Sequence, residues 1–127
     1  MHVDMNNVPN WQDVQKNMDR LTALGLEVQI TEMDVSIQNA EMPLNDKLAK
    51  QAEIYRDALN VCLENAGCTS FTTWGFTDRH TWITDLTGSP DSPLLFDENY
   101  QPKPAYKAIA DDLRNCCTGS SDLRCQT

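Results

Sequence analysis

Hydrophobic positions recur at helical spacing in three segments of the chain. The first segment predicts an amphipathic helix that buries one face, because its apolar residues are spaced by three and four. Asn10 is the expected N-cap of this helix and Gly25 its C-terminal stop. Its apolar stripe consists of Trp11, Val14, Met18, Leu21 and Leu24. We expect Trp11 to belong to the core.

The second and third segments predict two more helices. The second helix is expected to open at Asn45 and to close at Gly67. Its apolar or small positions are Leu48, Ala52, Tyr55, Leu59, Cys62, Leu63 and Ala66. The third helix has Pro104 near its first turn, where proline is favoured. Its expected buried face consists of Tyr106, Ile109, Ala110 and Leu113.

Two short β-rich segments separate these helices. Residues 27–31 and residues 70–74 predict strands, and a long loop with Gly88, Pro90 and Pro93 precedes the last helix. The alternation of helices and strands is typical of parallel βα units, so the predicted class is α/β. A chain of 127 residues is shorter than the roughly 250 residues of an eight-stranded βα barrel.

Charge and hydropathy exclude several classes of partner. Ten Lys and Arg oppose nineteen Asp and Glu, giving a net charge of −9, and the sequence contains no basic run that would neutralise phosphates. We therefore expect no binding to nucleic acid or to anionic membranes. No apolar stretch approaches the roughly 20 residues of a membrane span. Residues 1–10 lack the features of a signal peptide, so a secretion signal would have to lie upstream.

Cysteine usage favours disulfide bonds over a metal site. The five cysteines form neither a CxxC pair nor a cluster with histidine, which makes a zinc site the weaker alternative. They are Cys62, Cys68, Cys116, Cys117 and Cys125. This many cysteines in a short chain is compatible with a secreted protein.

Candidate chemistry follows the two predicted strands. Catalytic groups of βα barrels project from the carboxyl ends of the strands, which selects residues 31–34 and residues 74–78. The run from Val28 to Val35 resembles the nucleophile signature of glycoside hydrolase family 10, the xylanases. Residues 73–82 resemble the eighth barrel strand and the loop after it. Residues 93–97 and 102–106 resemble the segment that leads into the last helix.

The resemblance covers residues 1–114 and leaves residues 115–127 as a polar tail that contains cysteine. It implies the C-terminal portion of a (β/α)8 TIM barrel, from the end of strand 6 through the last helix. The implied activity is retaining hydrolysis of internal β-1,4 bonds of xylan, with xylan or xylo-oligosaccharides as ligands. This chemistry requires no metal and no organic cofactor. The family is also one of secreted proteins.

Roles for individual residues come from the same resemblance. Glu32 matches the family nucleophile, and His2 and Asp34 match the pair that keeps it ionised, since a hydrogen bond donated to a carboxylate stabilises its charge. The predicted sugar-binding residues are Trp74, Arg79, His80 and Trp82. Arg79 and His80 could equally be structural.

The resemblance also implies a disulfide between Cys62 and Cys68. The pairing of the three later cysteines stays open: one of Cys116 and Cys117 could bridge Cys125, which leaves an odd thiol. In the family, the glutamate that acts as acid and base follows the fourth strand, and no residue of this chain has that sequence context. A retaining enzyme needs two carboxyl groups about 5 to 5.5 Å apart.

Three hypotheses follow for function. In the first, a parent xylanase uses Glu32 together with a missing N-terminal half of the barrel. In the second, the chain is a catalytically inert half-barrel that packs with a complementary half or binds sugar weakly. In the third, it comes from another retaining barrel glycosidase, such as a cellulase. We expect the 127-residue chain by itself to be inactive.

Overall fold

A computed structural model describes the backbone of residues 1–119 and the side chains of residues 1–115. The described residues form three strands, four α-helices and one turn of 3₁₀ helix at Asp78–His80. The strands are β1 (His2–Asp4), β2 (Val28–Ser36) and β3 (Cys68–Thr73). The helices are α1 (Trp11–Thr22), α2 (Leu44–Glu64), α3 (Trp82–Thr87) and α4 (Pro104–Gly119). The cysteine side chains expected in the tail lie outside the described residues.

The three strands form one parallel sheet in the order β1, β2, β3. His2 lies opposite Asp34 in the first pair of strands, and Met33 lies opposite Thr73 in the second. Parallel neighbours joined by helices confirm the predicted βα rhythm. Within the described residues β1 and β3 each have one hydrogen-bonded neighbour, so the outer edges of this sheet are open.

The core lies between the sheet and helices α2 and α4. Small side chains on α4, Ala105 and Ala108, are buried and allow α4 to pack closely against α2. Ile109 is the one large apolar residue of this buried face. Several larger side chains of the core are fully buried. Tyr55, Met33, Val35 and Leu94 have no more than 1% of their surface exposed.

Helix α1 matches its prediction at the start and differs at the end. The side chain of Asn10 accepts hydrogen bonds from the backbone amides of Gln12 and Asp13, which confirms it as the N-cap. Met18 is buried, whereas Trp11 is only half-buried against the core. Leu24 follows the end of the helix and is 74% exposed, so it is not part of the buried stripe.

Helix α2 differs from its prediction at both ends. It begins at Leu44 directly after Pro43, so Asn45 lies inside the helix and is not its N-cap. It ends at Glu64, before the predicted stop at Gly67. Gly67 is required for another reason, because an added Cβ would lie 2.3 Å from Thr22 Cγ2. A glycine therefore lets the start of β3 approach the end of α1.

The two longer strands extend beyond the predicted segments. β2 continues to Ser36, so residues 31–34 lie inside the strand and do not follow it. The polar side chains of Glu32 and Asp34 interrupt the apolar pattern, which is why the sequence predicts a shorter strand. β3 begins at Cys68 and ends at Thr73, two residues earlier than predicted at its start.

Two features near the carboxyl end of the chain also correct the prediction. The loop before α4 contains the short helix α3, which is capped by the Thr81 side chain and ends at Gly88 in a left-handed conformation. In α4, Tyr106 and Leu113 are 38% and 42% exposed, so they do not form the buried face. The face that packs against α2 is rotated toward the two small alanines.

Candidate active site

Glu32 stands at an irregularity in β2. The pairing of β2 with β3 shifts in register between Ile30 and Met33, and Glu32 has a backbone φ of 57°. Non-glycine residues rarely adopt this left-handed conformation, which costs on the order of 1–3 kcal/mol and is concentrated at functional sites. The bulge turns the Glu32 side chain out of the sheet, where 46% of its surface is exposed.

His2 connects Glu32 to a second carboxyl group. Because β1 places His2 beside Asp34, the imidazole Nδ1 lies 2.8 Å from Asp34 Oδ2. The opposite ring nitrogen, Nε2, lies 3.3 Å from Glu32 Oε2. Asp34 is 1% exposed, whereas the His2 side chain is 40% exposed. The structure therefore brings the three predicted residues together in one hydrogen-bonded chain.

The proton count of this chain constrains its chemistry. A neutral imidazole carries one N–H, so it can donate to Asp34 or to Glu32 but not to both. If both carboxyl groups are ionised, the imidazolium form alone donates to each of them. A neutral ring that donates to Asp34 has an unprotonated Nε2, which can accept a hydrogen bond from Glu32 only if the Glu32 carboxyl group carries a proton. The charge of Glu32 is thus coupled to the position of the His2 protons.

Trp82 contacts the same chain from helix α3. Its indole Nε1–H donates to Asp34 Oδ2 at 2.8 Å, the oxygen that faces His2. Its ring lies against the His2 ring with centroids 5.0 Å apart and planes inclined by 64°. Trp82 keeps 36% of its surface exposed. An aromatic face therefore lies beside the Asp34, His2 and Glu32 chain.

Trp74 follows β3 directly and extends its ladder. The Trp74 backbone amide donates to the carbonyl of Met33 at 2.9 Å. Because Met33 directly follows Glu32, this bond places Trp74 beside the Glu32 bulge. Trp74 is 48% exposed. Gly75 then adopts φ 129°, and a Cβ at this position would lie 2.8 Å from Leu94. The chain can turn here because Gly75 has no side chain.

Arg79 and His80 lie outside the hydrogen-bonded chain formed by Glu32, His2 and Asp34. Both are exposed and line a cleft of about 330 Å³ next to the 3₁₀ helix, together with Thr84, Asp85, Asp91 and Glu98 among others. The lining of this cleft does not include Glu32, His2 or Trp82. Their predicted contact with sugar therefore stays a prediction.

A buried ion pair that sequence reasoning missed lies behind the site. Lys103 Nζ lies 2.9 Å from Asp78 Oδ2, and both side chains are almost fully buried. The same ammonium donates to the carbonyls of Ser92 and Leu94, while Asp78 Oδ1 accepts from the Leu94 amide. Burial raises the pKa of Asp78 and lowers that of Lys103, and their mutual attraction opposes both shifts.

Two side chains of α2 hold the same segment from the other side. Gln51 donates to the carbonyls of Val35 and Ser92, and the Tyr55 hydroxyl donates to the carbonyl of Pro93 at 2.7 Å. Burial, together with the charges of Asp34 and Asp78, raises the pKa of Tyr55 well above its usual range. Asp91 Oδ1 accepts from the backbone amide of Ile37, directly after β2, at 3.0 Å. We call the five residues Gln51, Tyr55, Asp78, Asp91 and Lys103 the clamp, because together they hold residues 91–95 against β2 and the residue after it.

The clamp left only weak signals in the sequence. Gln51 occupies the apolar stripe of α2, three residues after Leu48 and four before Tyr55, where a polar residue must find a buried partner. Lys103 lies between two prolines in a segment with few charges. Neither position predicts its partner, because the contacts span 16 to 41 residues for Gln51 and 9 to 25 for Lys103.

The disulfide between Cys62 and Cys68 is present. It joins the last turn of α2 to the first residue of β3, six residues further along the chain. The pairing implied by the family resemblance is therefore confirmed. The bond lies at the opposite end of β3 from Trp74 and so acts on the scaffold, away from the candidate site.

Residues 1–115 contain no group of His, Cys, Asp or Glu side chains that could hold a metal ion. Asp34 is the one other carboxyl group hydrogen-bonded to the Glu32 and His2 pair within these residues, and its Oδ2 is occupied by His2 and Trp82. Because Asp34 is also 1% exposed, it is not placed to protonate a leaving group. The described helices include none that is long and apolar enough to cross a membrane.

Comparisons with known proteins agree on one family. The family model described as glycosyl hydrolase family 10 matches residues 1–112. Endo-1,4-beta-xylanase B of Thermotoga neapolitana is 40% identical over 113 residues, which cover 86% of this chain and 31% of that protein. Exoglucanase XynX of Acetivibrio thermocellus is 37% identical over 112 residues, which cover 87% of this chain and 10% of that protein.

A solved structure is similar in both fold and sequence. Xylanase 10B from Thermotoga petrophila RKU-1, determined in complex with xylobiose, superposes with a TM-score of 0.83 at 39% identity. The match covers 91% of this chain and 35% of that one. Such xylanases are TIM barrels, so the three strands described above correspond to part of a barrel. The chain spans about a third of the length of these two xylanases.

Proposed function

Because this chain belongs to glycosyl hydrolase family 10, we propose that it supplies the nucleophile side of an active site for retaining hydrolysis of internal β-1,4 bonds of xylan. The remaining strands of the barrel would come from a further polypeptide segment. We call the assembled barrel the complete enzyme. The observation that carries the proposal is the position of Glu32 on a strained bulge, in hydrogen-bond contact with His2, which Asp34 holds.

The proposed first step is attack by Glu32 on the anomeric carbon. The Glu32 carboxylate forms a bond to this carbon while the bond to the leaving oxygen breaks, and a glutamate of the missing segment protonates that oxygen. Water then attacks the anomeric carbon of the glycosyl-enzyme intermediate and gives a proton to the same glutamate. The bond from this carbon to Glu32 breaks, which releases the Glu32 carboxylate. The sugar keeps its configuration because it is inverted twice.

His2 and Asp34 would control the charge that this reaction moves. An imidazolium that donates to Glu32 stabilises the carboxylate before attack and again when the ester is cleaved. The buried Asp34 keeps the imidazole ring oriented. These three residues therefore supply charge and orientation, and they leave the second carboxyl group to the other part of the barrel.

The exposed aromatic residues favour a sugar ligand. Trp74 and Trp82 present ring surface beside the Glu32 bulge, and such surface packs on the apolar C–H face of a pyranose. The similar Thermotoga petrophila enzyme was determined with xylobiose. We therefore propose xylan and xylo-oligosaccharides as substrates. We also propose that Arg79 and His80 contact the sugar chain from the separate cleft that they line.

A second candidate substrate has one observation in its favour. One similar relative is described as an exoglucanase, so a β-1,4-glucan is the alternative to xylan. Comparing aryl β-xylobioside with aryl β-cellobioside as substrates of the complete enzyme separates the two. We expect the xyloside to give the higher kcat/KM, and the reverse order would replace xylan by glucan in the proposal.

The chain is proposed to need its partner segment for activity. Its sheet edges are open at β1 and β3, and exposed apolar residues such as Phe76 and Leu86 are available for contact. The 127-residue chain by itself is then the inert half-barrel of the second hypothesis. Secretion is also proposed, because the Cys62–Cys68 disulfide persists in oxidising compartments.

Reconstitution tests the proposal. The chain would be produced by itself and joined to the upstream part of the Thermotoga petrophila barrel, and aryl β-xylobioside hydrolysis would be followed by NMR. We expect hydrolysis only by the joined protein, with the β-anomer as first product. Hydrolysis by the isolated chain, or an α-anomer as first product, would contradict the proposal.

A further inference from the structure

The indole N–H of Trp82 has a partner that a sugar-stacking role does not explain. Nε1 donates to Asp34 Oδ2 at 2.8 Å, and His2 Nδ1 lies at the same distance from the same oxygen. The other oxygen, Asp34 Oδ1, is buried and has no hydrogen-bond partner among the described residues. The orientation of the Asp34 carboxylate in this part of the protein therefore depends on two donors to one oxygen.

Burial makes each of these two donors important. Asp34 is 1% exposed, so water cannot replace a lost hydrogen bond without entering the core. Removing the Trp82 donor would leave a buried carboxylate held by His2 alone. The carboxylate could then rotate about its Cα–Cβ and Cβ–Cγ bonds, and the imidazole that it holds would turn with it. His2 has 40% of its side chain exposed, so few other contacts oppose this movement.

Trp82 also contacts His2 directly. The two rings meet edge to face with centroids 5.0 Å apart, which restricts rotation of the imidazole ring. One residue therefore fixes both the carboxylate that orients His2 and the ring plane of His2 itself. Trp74 offers a contrast, since its exposed indole has no hydrogen bond to a residue of the described chain.

We propose that Trp82 is a positioning residue whose indole N–H holds Asp34 and thereby aims His2 at Glu32. This role is separate from the contact of its ring face with sugar, and it rests on the proposed function because it acts through the nucleophile. Its consequence is that the nitrogen atom of Trp82, and not only its aromatic surface, contributes to the chemical step.

The first test removes the nitrogen atom and keeps the shape. Replacing Trp82 by 3-benzothienylalanine exchanges N–H for sulfur in the complete enzyme. We expect kcat on aryl β-xylobioside to fall about 10- to 100-fold, the range for losing a hydrogen bond to a buried charge, with KM changed less than about threefold. The same replacement at Trp11, which packs against the core from helix α1, is the matched control and should change kcat less than about threefold. A wild-type kcat in the Trp82 protein would overturn the inference.

The second test is a double-mutant cycle with Trp82→Phe and Asp34→Ala. If the N–H acts through Asp34, the Phe substitution lowers kcat in the wild-type background and has less than about a threefold effect once Asp34 is gone. A ring that acts only as a sugar platform would instead cost the same factor in both backgrounds, mainly in KM. Trp74→Phe is expected to show that independent behaviour, because within the described residues the Trp74 indole makes no hydrogen bond to Asp34.

The third test does not depend on activity. Selective ¹⁵N labelling of histidine reports the proton positions of the His2 ring, and we expect its signals to move in the Trp82→Phe protein and to stay in the Trp74→Phe protein. Unmoved His2 signals would overturn the positioning role. Glu32→Gln separates the two claims: residual activity in that variant contradicts the nucleophile assignment, while the His2 signals still decide whether Trp82 holds Asp34.

Discussion

The candidate site and the clamp behind it use similar polar residues in opposite ways. At the site, Glu32 and His2 are nearly half exposed, and Glu32 has a strained backbone. In the clamp, Asp78 and Lys103 are almost fully buried, and the Lys103 ammonium has three partners. We propose that the exposed polar groups of the site serve the reaction, whereas the buried Asp78–Lys103 ion pair of the clamp supports the fold. Substitutions should therefore separate activity from stability.

The largest expected effect is on catalysis. Glu32→Gln keeps the shape of the side chain but removes the anionic group that we propose as the nucleophile, so kcat of the complete enzyme should fall by about 10⁴-fold or more. The melting temperature should stay within about 2 °C, because the side chain is exposed and makes few contacts. Steady-state assays and thermal denaturation measure the two quantities.

Glu27→Gln is the matched control for this substitution. Glu27 is exposed just before β2 and outside the hydrogen-bonded chain of the site, so its variant should keep wild-type kcat. More than about a tenth of wild-type rate in the Glu32 variant would disprove the nucleophile assignment, since loss of covalent catalysis costs several powers of ten.

The next effect is on stability and comes from the clamp. Lys103→Met leaves Asp78 buried without its counter-charge, so the free energy of unfolding should fall by about 3–5 kcal/mol. Adding Asp78→Asn should restore part of that loss because it removes the unpaired charge. The KM of the molecules that remain folded should be unchanged. Urea denaturation gives the stabilities, and exposed Lys107→Met is the control; equal losses at the two lysines would rule out the clamp.

Two tryptophans allow effects on stability and on substrate binding to be compared within one residue type. Trp11→Ala should lower the free energy of unfolding, by less than the roughly 3–5 kcal/mol of a fully buried tryptophan because Trp11 is only half-buried. Trp74→Ala should leave stability nearly unchanged and raise KM, because its ring is 48% exposed beside the site. Melting temperatures and KM values of both variants measure this, and equal melting losses would remove the distinction.

The smallest expected effect has a characteristic pH dependence. Tyr55→Phe removes one hydrogen bond to the carbonyl of Pro93, which still accepts from Val35, so it should cost about 1 kcal/mol near neutral pH. Since the fold raises the pKa of Tyr55, the unfolded chain loses this proton first as pH rises past about 10. Wild-type stability should therefore fall more steeply above pH 10 than that of the variant.

Urea denaturation between pH 8 and pH 11 compares the two slopes. Tyr106→Phe is the control, because this ring is exposed and its hydroxyl has no buried acceptor, and it should keep the wild-type slope. Parallel curves for wild type and the Tyr55 variant would show that the Tyr55 proton does not contribute to the pH dependence of stability.

The sequence predicted the alternation of strands and helices and the residues of the hydrogen-bonded chain. It could do so because the apolar spacing of α1 and α2 is regular and because motifs around Glu32 and Trp82 resemble a known family. It did not predict the bulge at Glu32, since a register shift depends on the neighbouring strand. The clamp was also missed, because its partners are distant in sequence and polar residues such as Gln51 resemble surface residues.

Two other errors have different physical origins. Tyr106 and Leu113 follow the apolar spacing of α4, but close approach to α2 is achieved by alanines, and this turns the larger side chains outward. Helix α3 was predicted as loop because six residues give too short a pattern to recognise. For α4 the deciding information lies in the neighbouring helix, whereas for α3 it is the short length of the element.

The hydrogen-bonded chain at the site also bears on the order of folding. Its contacts join residues far apart along the chain: 32 positions separate His2 from Asp34, and 48 separate Asp34 from Trp82. Contacts at such separations form slowly, because a long loop must close before they gain any energy. Helices α1 and α2 can form locally before that. We therefore expect the hydrogen-bonded chain to form in the last stage of folding, after β1, β2 and α3 have docked.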